Sequence, residues 1–419
     1  MFPIVLILFY SFLKIVSSVS KHPLVLVVSF DSLRHDFVNK SATPNLFALS
    51  QLGVRTKYMK NIFPTKTLPV HFSIATGVYA EDHGVLANSV FYNNRSHKYS
   101  NALFDYNEDV VPIWTLNERA GNGRHSGSMM WPGGEFPYQG VKPTHVQPYD
   151  MSFNWTKRAD TVISWFLNST APANFIMAYF DNLDLVGHRL GINDPSFKAQ
   201  IQQCDQAAKY IHDQLAAHGL QDKVNVFLLS DHGMVSIKQE HIIDLNKFVL
   251  NHLGTFYSQK NAVPRIGLFP PHFNHLKSGE KRNGNFRIFL REEIPDTYHY
   301  KHNARVSDML AVADLEYGFQ DLMKAIEYYS KKEKITMTPK SELGIHGYSN
   351  DEPSMYPFLV AYGPGLKRNT TVPPFNVVDL YPIFAKLLQL SLPQATTRYK
   401  LRGNLDLSSA FVVPSNISG

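Results

Sequence analysis

The sequence predicts a doubly wound α/β protein, a mostly parallel sheet with helices on both faces. Three apolar, β-branched runs carry that prediction: LVLVVSF (24–30), NFIMAYF (174–180) and VNVFLLS (224–230). None shows the polar alternation of a half-solvated strand, so each reads as a strand buried on both faces of a parallel sheet. Each also delivers acidic residues just past its end: Asp31, then Asp181 and Asp184, then Asp231. Open α/β sheets collect ligands along that carboxyl edge.

The remaining elements fit the same plan. FLVAYGPG (358–365) reads as a fourth strand, and 156–168, 195–218 and 377–390 read as helices between or after strands. In the second of these, Cys204, Ala207, Tyr210 and Ile211 share one face at helical spacing. Residues about 240–335 break the alternation. Pro264, Pro270, Pro271 and Pro295 separate short pieces such as NFRIFLREEI, with one helix near 319–330, as expected of a small inserted cap subdomain.

A short apolar run at 4–16 (IVLILFYSFLKIV) precedes the small residues Ser17, Ser18, Val19 and Ser20. It reads as a secretory leader over 1–20. Asn-x-Ser/Thr sequons at Asn39, Asn94, Asn154, Asn168, Asn369 and Asn416 agree with export. SSAFVVPSNISG at the other end has no apolar stretch of membrane-spanning length. The expected product is a secreted glycoprotein with its main domain over 21–395 and a tail over 396–419. The single cysteine, Cys204, rules out an internal disulfide. The formal charge of +6 is spread thinly, which argues against nucleic-acid binding by a basic stripe. A mild positive bias is compatible with anionic substrates and a transient membrane-surface contact. The oligomeric state is left open.

Seven residues read together as the ligand set of a two-zinc phosphotransfer site: Asp31, Thr67, Asp184, His188, Asp231, His232 and His346. Asp184 and His188 stand four apart, so one helical turn brings their side chains to about 5–6 Å, as joint binding of one zinc requires. Asp231 and His232 are adjacent and in a regular strand would face opposite ways. Gly233 permits the bend that turns both toward a metal layer. His346 lies in GIHGY, between Gly344 and Gly347. A threonine hydroxyl is a weak nucleophile until a base or metal activates it, and a helix starting near Pro69 would add its dipole at Thr67. His71, His83, His299 and His302 are taken as structural or surface residues.

The segments LVVSFDSLRHD, NIFPTKTLPVHFSIATGVYAEDHGVLAN, MMWPGGEFPYQGV, DNLDLVGHRLG, LLSDHGM and GIHGY resemble the nucleotide pyrophosphatase/phosphodiesterase family of the alkaline phosphatase superfamily. The resemblance runs from about Val25 to Leu390 and implies an alkaline-phosphatase-like fold. It implies one zinc on Asp184, His188 and His346, and a second on Asp31, Asp231, His232 and the Thr67 oxygen. Thr67 would form a phosphothreonine intermediate, and Asn88 of GVLAN would donate to a non-bridging phosphate oxygen.

Three positions depart from the family's nucleotide-cleaving pattern. Leu68 replaces the base-stacking aromatic after the nucleophile, Pro69-Val70 stands where Pro-Asn is common, and Ser349 replaces an aspartate. With PGG…YQGV and MSFNW…ADTVISWF, the chain looks more like the choline-phosphodiesterase branch, particularly the alkaline sphingomyelinase. There, aromatics box a trimethylammonium group. Tyr149 is the first candidate wall, with Phe256 and Tyr257 of the cap behind it. The expected substrate is a phosphodiester small molecule, with sphingomyelin or a lysophospholipid placed ahead of a nucleotide. A sulfatase is disfavoured because TKTLP lacks the Cys/Ser-x-Pro-x-Arg nucleophile motif. A catalytically inactive binding protein on the same fold is the alternative of another class.

Overall fold

In the computed structural model, residues 19–93, 95–248, 265–266, 277, 280–281, 284–332, 334, 338 and 340–413 are described. Residues 1–18 of the predicted leader, Phe256 and Tyr257 therefore lie outside the described residues. The central sheet contains β1 (Leu24–Phe30), β2 (Val54–Thr56), β3 (Ser126–Met129), β4 (His145–Gln147), β5 (Phe175–Phe180), β6 (Val224–Leu229), β7 (Leu359–Tyr362) and β8 (Thr370–Val372). Their order across the sheet is β8-β2-β7-β6-β1-β5-β3-β4.

The three runs that predicted the fold form the centre. β1 pairs in parallel with β5 on one side and β6 on the other, and every residue of all three is buried. Each fully buried valine, leucine or phenylalanine contributes about 1.5–3 kcal/mol relative to exposure. The fourth run is β7, but it lies antiparallel to β6 and β2. The reason is where the chain re-enters. After the segment predicted as a cap, it returns through an antiparallel ribbon of Val235–Lys238 with Glu342–Ile345, at the edge where β6 ends, and must run back from there.

The helices flank this sheet: α1 Thr67–Thr76, α2 Trp155–Phe166, α3 Asn182–Leu190, α4 Pro195–Ala217 and α5 Leu380–Leu387. α2 starts where the Asn154 side chain accepts from the Thr156 N–H at 2.8 Å, and α4 where Asp194 accepts from Ser196, standard N-terminal caps. Along α4, Cys204, Ala207 and Ile211 are buried. The predicted helix 377–390 is shorter: a 3-10 turn, Val377–Asp379, precedes α5. Beyond β6, Phe286–Leu290 and Met309–Ala313 pair antiparallel. Phe286, Ile288, Met309 and Phe319 join Val235, Ile237, Leu343 and Ile345 in a second apolar cluster. Near the C-terminus, Tyr399 and Phe411 are buried, and Lys367 donates to the Phe411 carbonyl. No helix among the described residues is long and apolar enough to cross a membrane.

One buried histidine ties α1 to the segment behind it. His83 accepts from the Val85 N–H at 3.0 Å and lies 2.9 Å from Ser73 Oγ on α1. Burial pushes its pKa down to about 3, so the folded protein holds it neutral. The unfolded chain takes up a proton below about 6.5. The stabilisation from this group is therefore complete above pH 6.5 and lost as pH falls from there toward 3, at about 1.4 kcal/mol per pH unit. Urea unfolding of wild type and His83→Gln between pH 7 and 5 should show the shallower pH slope in the variant. Equal slopes would contradict it.

Candidate active site

The register of the sheet makes the site. Ser29 lies opposite Leu229 and Phe30 opposite Phe180, so the residues just past β1, β5 and β6 reach one edge together. Asp31, Asp231 and His232 are fully buried there. α3 starts directly after β5 and carries Asp184 and His188, whose Oδ2 and Nε2 are 3.3 Å apart. His346 enters from the loop after Glu342–Ile345, its Nε2 3.2 Å from His188 Nε2 and 3.7 Å from Asp184 Oδ1. His232 Nε2 lies 3.0 Å from Asp231 Oδ2, 3.5 Å from Asp31 Oδ1 and 3.3 Å from Thr67 Oγ1. Seven residues spread over more than three hundred positions thus meet in one buried layer.

The donor chemistry of that layer fits metal ions. His188 Nδ1 faces the Gly344 carbonyl at 2.8 Å, and His346 Nδ1 faces the Thr65 carbonyl at 2.9 Å. A carbonyl only accepts, so both protons sit on Nδ1. The two Nε2 lone pairs then point at each other across 3.2 Å. His232 repeats the pattern, with Nδ1 3.1 Å from the Gly233 carbonyl and its Nε2 lone pair turned toward carboxylates. Asp231 Oδ2 is buried with no hydrogen-bond partner. Metal ions would reconcile such a gathering of acceptors, and ring N–H to carbonyl bonds are the usual outer support of metal-bound histidines. Two overlapping sets, Asp184–His232–His346 and Asp31–Asp231–His232, have their ligand atoms within 4.8 Å of one another.

The electrostatics of the protein alone express the same demand. Burial, then the neighbouring Asp184 and Asp231 carboxylates, push the Asp31 pKa well up. Burial opposes ionisation of Asp231, but His232 and His71 more than offset it and hold that carboxyl low. Burial also works against His232 protonation, yet Asp231 raises its pKa. Burial, His232 and His188 keep His346 neutral, the form that ligates a metal.

Backbone fit explains the glycines. A Cβ at Gly344 would lie 2.4 Å from the Gly187 carbonyl oxygen, and one at Gly233 2.0 Å from that of Ser354. Either substitution would push a ligand loop off α3 or off the turn that leads into β7. Thr65 joins the nucleophile loop to the His346 loop, donating to the Tyr348 carbonyl and accepting from the Gly347 N–H, both at 3.1 Å.

Thr67 opens α1, and its hydroxyl faces the layer. Asn88 Oδ1 accepts from the Leu68 N–H at 3.0 Å, which leaves the Asn88 amide N–H groups for a ligand above Thr67. A cleft of about 330 Å³ lies over them, lined by Thr67, Leu68, Asn88, Tyr99, Tyr149 and Asp184 among others. Tyr149 presents an exposed ring to it. All the sequence-predicted residues that are described therefore sit in or around one pocket.

Several contributors escaped sequence reading. Ser32 adopts a left-handed backbone (φ 63°); its N–H bonds Asp231 Oδ1 at 3.2 Å and its hydroxyl Asp184 Oδ1 at 2.7 Å. Tyr179 donates to Asp31 Oδ2. His71, set aside as structural, lies 3.4 Å from Asp231 Oδ2 and 2.8 Å from the Thr67 carbonyl. The only available signal was position: Ser32 follows Asp31, and Tyr179 is the polar-tipped residue of an apolar strand.

The profile of the type I phosphodiesterase / nucleotide pyrophosphatase family matches residues 25–349. The chain belongs to this family. Human ectonucleotide pyrophosphatase/phosphodiesterase family member 5 is 31% identical over 399 residues, covering 93% of this chain and 80% of that protein. Human bis(5'-adenosyl)-triphosphatase is 31% identical over 384 residues, covering 89% and 80%. The solved structure of murine family member 5, an inactive threonine-to-alanine form in complex with AMP, superposes with a TM-score of 0.78 at 30% identity, covering 91% of this chain and 99% of that one. The fold is accordingly the alkaline-phosphatase-like α/β fold, and the chain is a hydrolase of phosphodiester bonds in a metal-dependent family acting on small molecules. These relatives' names give the choline-phospholipid preference no support.

Proposed function

We propose that this protein is a secreted two-zinc nucleotide pyrophosphatase/phosphodiesterase that releases nucleoside 5'-monophosphates through a phosphothreonine at Thr67. The observation that carries the reading is the position of Thr67 Oγ1, 3.3 Å from His232 Nε2 on the floor of an open cleft. Asp184, His188 and His346 would hold one zinc, and Asp31, Asp231, His232 and Thr67 the other. Bound metal ions would lower the pKa of a hydroxyl and neutralise phosphate charge.

The chain's own groups supply the rest. The Thr67 hydroxyl gives its proton to solvent, and its oxygen bonds to phosphorus in line while the P–O bond to the leaving alcohol or phosphate breaks on the opposite side. Water then adds to phosphorus and breaks the Thr67 O–P bond, releasing the nucleoside 5'-monophosphate and restoring the hydroxyl. Asn88, oriented by the Leu68 N–H, donates to a non-bridging oxygen as negative charge builds there. The α1 N-terminus favours that charge. The AMP bound by the murine relative and the bis(5'-adenosyl)-triphosphatase name of another support a nucleotide. Exposed sequon asparagines at Asn39, Asn154 and Asn369 agree with a secreted glycoprotein.

A choline phosphodiester is the second reading, favoured by the exposed Tyr149 ring, where one cation–π contact contributes ~0.5–2 kcal/mol. A paired assay decides between them: the p-nitrophenyl ester of thymidine 5'-monophosphate against p-nitrophenylphosphorylcholine, with zinc present. We expect kcat/KM to favour the nucleotide ester by at least about tenfold, the worth of 1.4 kcal/mol of base contact. Preference for the choline ester would overturn the nucleotide assignment.

A further inference from the structure

Asp181 occupies the N-cap of α3, the position where an aspartate ordinarily accepts from the helix's own N–H groups. Here it makes no such bond. Its carboxylate is turned the other way. Oδ1 takes the Arg158 guanidinium at 2.8 Å, and Oδ2 accepts from the Tyr149 hydroxyl at 2.8 Å. Arg158 and Asp181 are both nearly inaccessible, at 1% and 2%, although Tyr149 is 41% exposed at the cleft. A buried ion pair therefore ends on the hydroxyl of an exposed ring.

Arg158 does more than neutralise Asp181. Its Nη1 also donates to the Tyr179 carbonyl at 3.2 Å, and its Nε to the Phe153 carbonyl at 2.9 Å. Tyr179 in turn donates to Asp31 Oδ2, and its ring centroid lies 6.4 Å from that of Tyr149. One guanidinium on α2 thus fixes both the backbone that carries an Asp31 partner and the carboxylate that holds Tyr149.

We infer that Asp181, clamped by Arg158, is a positioning residue that sets the Tyr149 ring as the substrate-contacting wall of the cleft. The inference rests on the diesterase reading of that cleft, but not on which diester enters. A tyrosine on an exposed loop samples several χ1 wells. A hydrogen bond to a buried carboxylate held by Arg158 selects one of them before substrate arrives, and such preorganisation appears as affinity. A cap bond given up at the start of α3 is consistent with a carboxylate committed elsewhere.

The test is a double-mutant cycle with Tyr149→Phe and Asp181→Asn. It uses whichever of the two p-nitrophenyl esters the wild type turns over faster, so failure of the nucleotide assignment is read separately. Tyr149→Phe keeps the ring and removes the anchor, so KM should rise about 3- to 10-fold, the worth of one hydrogen bond, with kcat nearly unchanged. Asp181→Asn should do the same, and the double variant no more than either single one. A merely structural Asp181 would lower stability without that KM signature. Single effects that multiply, or a Tyr149→Phe enzyme with wild-type KM, would overturn the inference. If Asp181→Asn fails to fold, Tyr149→Phe alone decides on the same KM criterion.

Discussion

Thr67→Ala should lower phosphodiester turnover by roughly 10^4–10^6-fold, the scale on which a covalent nucleophile is lost. The substitution removes a hydroxyl and a methyl group at a position 8% exposed to solvent, and it leaves α1, Asn88 and the ligand layer in place. Thermal unfolding should therefore move by only a few degrees while kcat collapses. Thr67→Ser supplies the control, because it restores an oxygen at the same site and should recover most of the rate. The solved murine relative is inactive as a threonine-to-alanine form, in line with this outcome. The measurement is steady-state hydrolysis of the thymidine ester, with acid quenching to trap phosphoprotein. Wild type should yield an acid-stable thymidylyl group on the protein and Thr67→Ala none. A variant with full activity would remove Thr67 from the mechanism and leave direct attack by water.

The parts of the fold and site that were legible share one property: a strong local signal. β1, β5 and β6 are long apolar runs, and the acidic residues past them stand out because each follows directly on an apolar run. Asp184 and His188 carry their relation in their spacing. β2, β3, β4 and β8 have three or four residues each, too few for a period of two to register. The direction of β7 was invisible because an apolar run has no polarity; only the location of the preceding ribbon decides it. Arg158 illustrates the deeper limit. On α2 it stands beside the buried Ala159, Val162, Ile163 and Phe166, and a lone arginine on a helix is read as solvated. Its burial follows from Asp181, which lies on a different element and becomes a partner only after folding. Leu68 shows a related limit. The missing aromatic was legible, but the substrate preference drawn from it depended on the whole pocket.

Metal removal is the second large effect, and it should appear in stability as well as rate. Asp31, Asp184 and Asp231 bring three carboxylates into a layer with almost no solvent contact, where burial and mutual repulsion already push Asp31 toward its neutral form. Cations relieve that repulsion, and ligands that bind only the folded state stabilise it by about 2.7 kcal/mol when present at 100 times their Kd. Chelation should abolish turnover and lower the melting temperature by several degrees. Zinc should restore both, and magnesium should not, since nitrogen ligands suit zinc and magnesium prefers oxygen. Acid acts in the same direction as the chelator. Ligating histidines must be neutral and carboxylates ionised, so falling pH sets protons against metal, and metal should be lost on dialysis at low pH without chelator. His346→Ala tests the proposed division into two metal positions: it removes a proposed ligand from the Asp184–His188 side and leaves Asp31 and Asp231 intact. One metal equivalent should be lost by elemental analysis, with activity falling at least about 100-fold. An enzyme indifferent to chelation in both rate and melting temperature would mean that these acceptors are held together by protons, with His232 charged against Asp231.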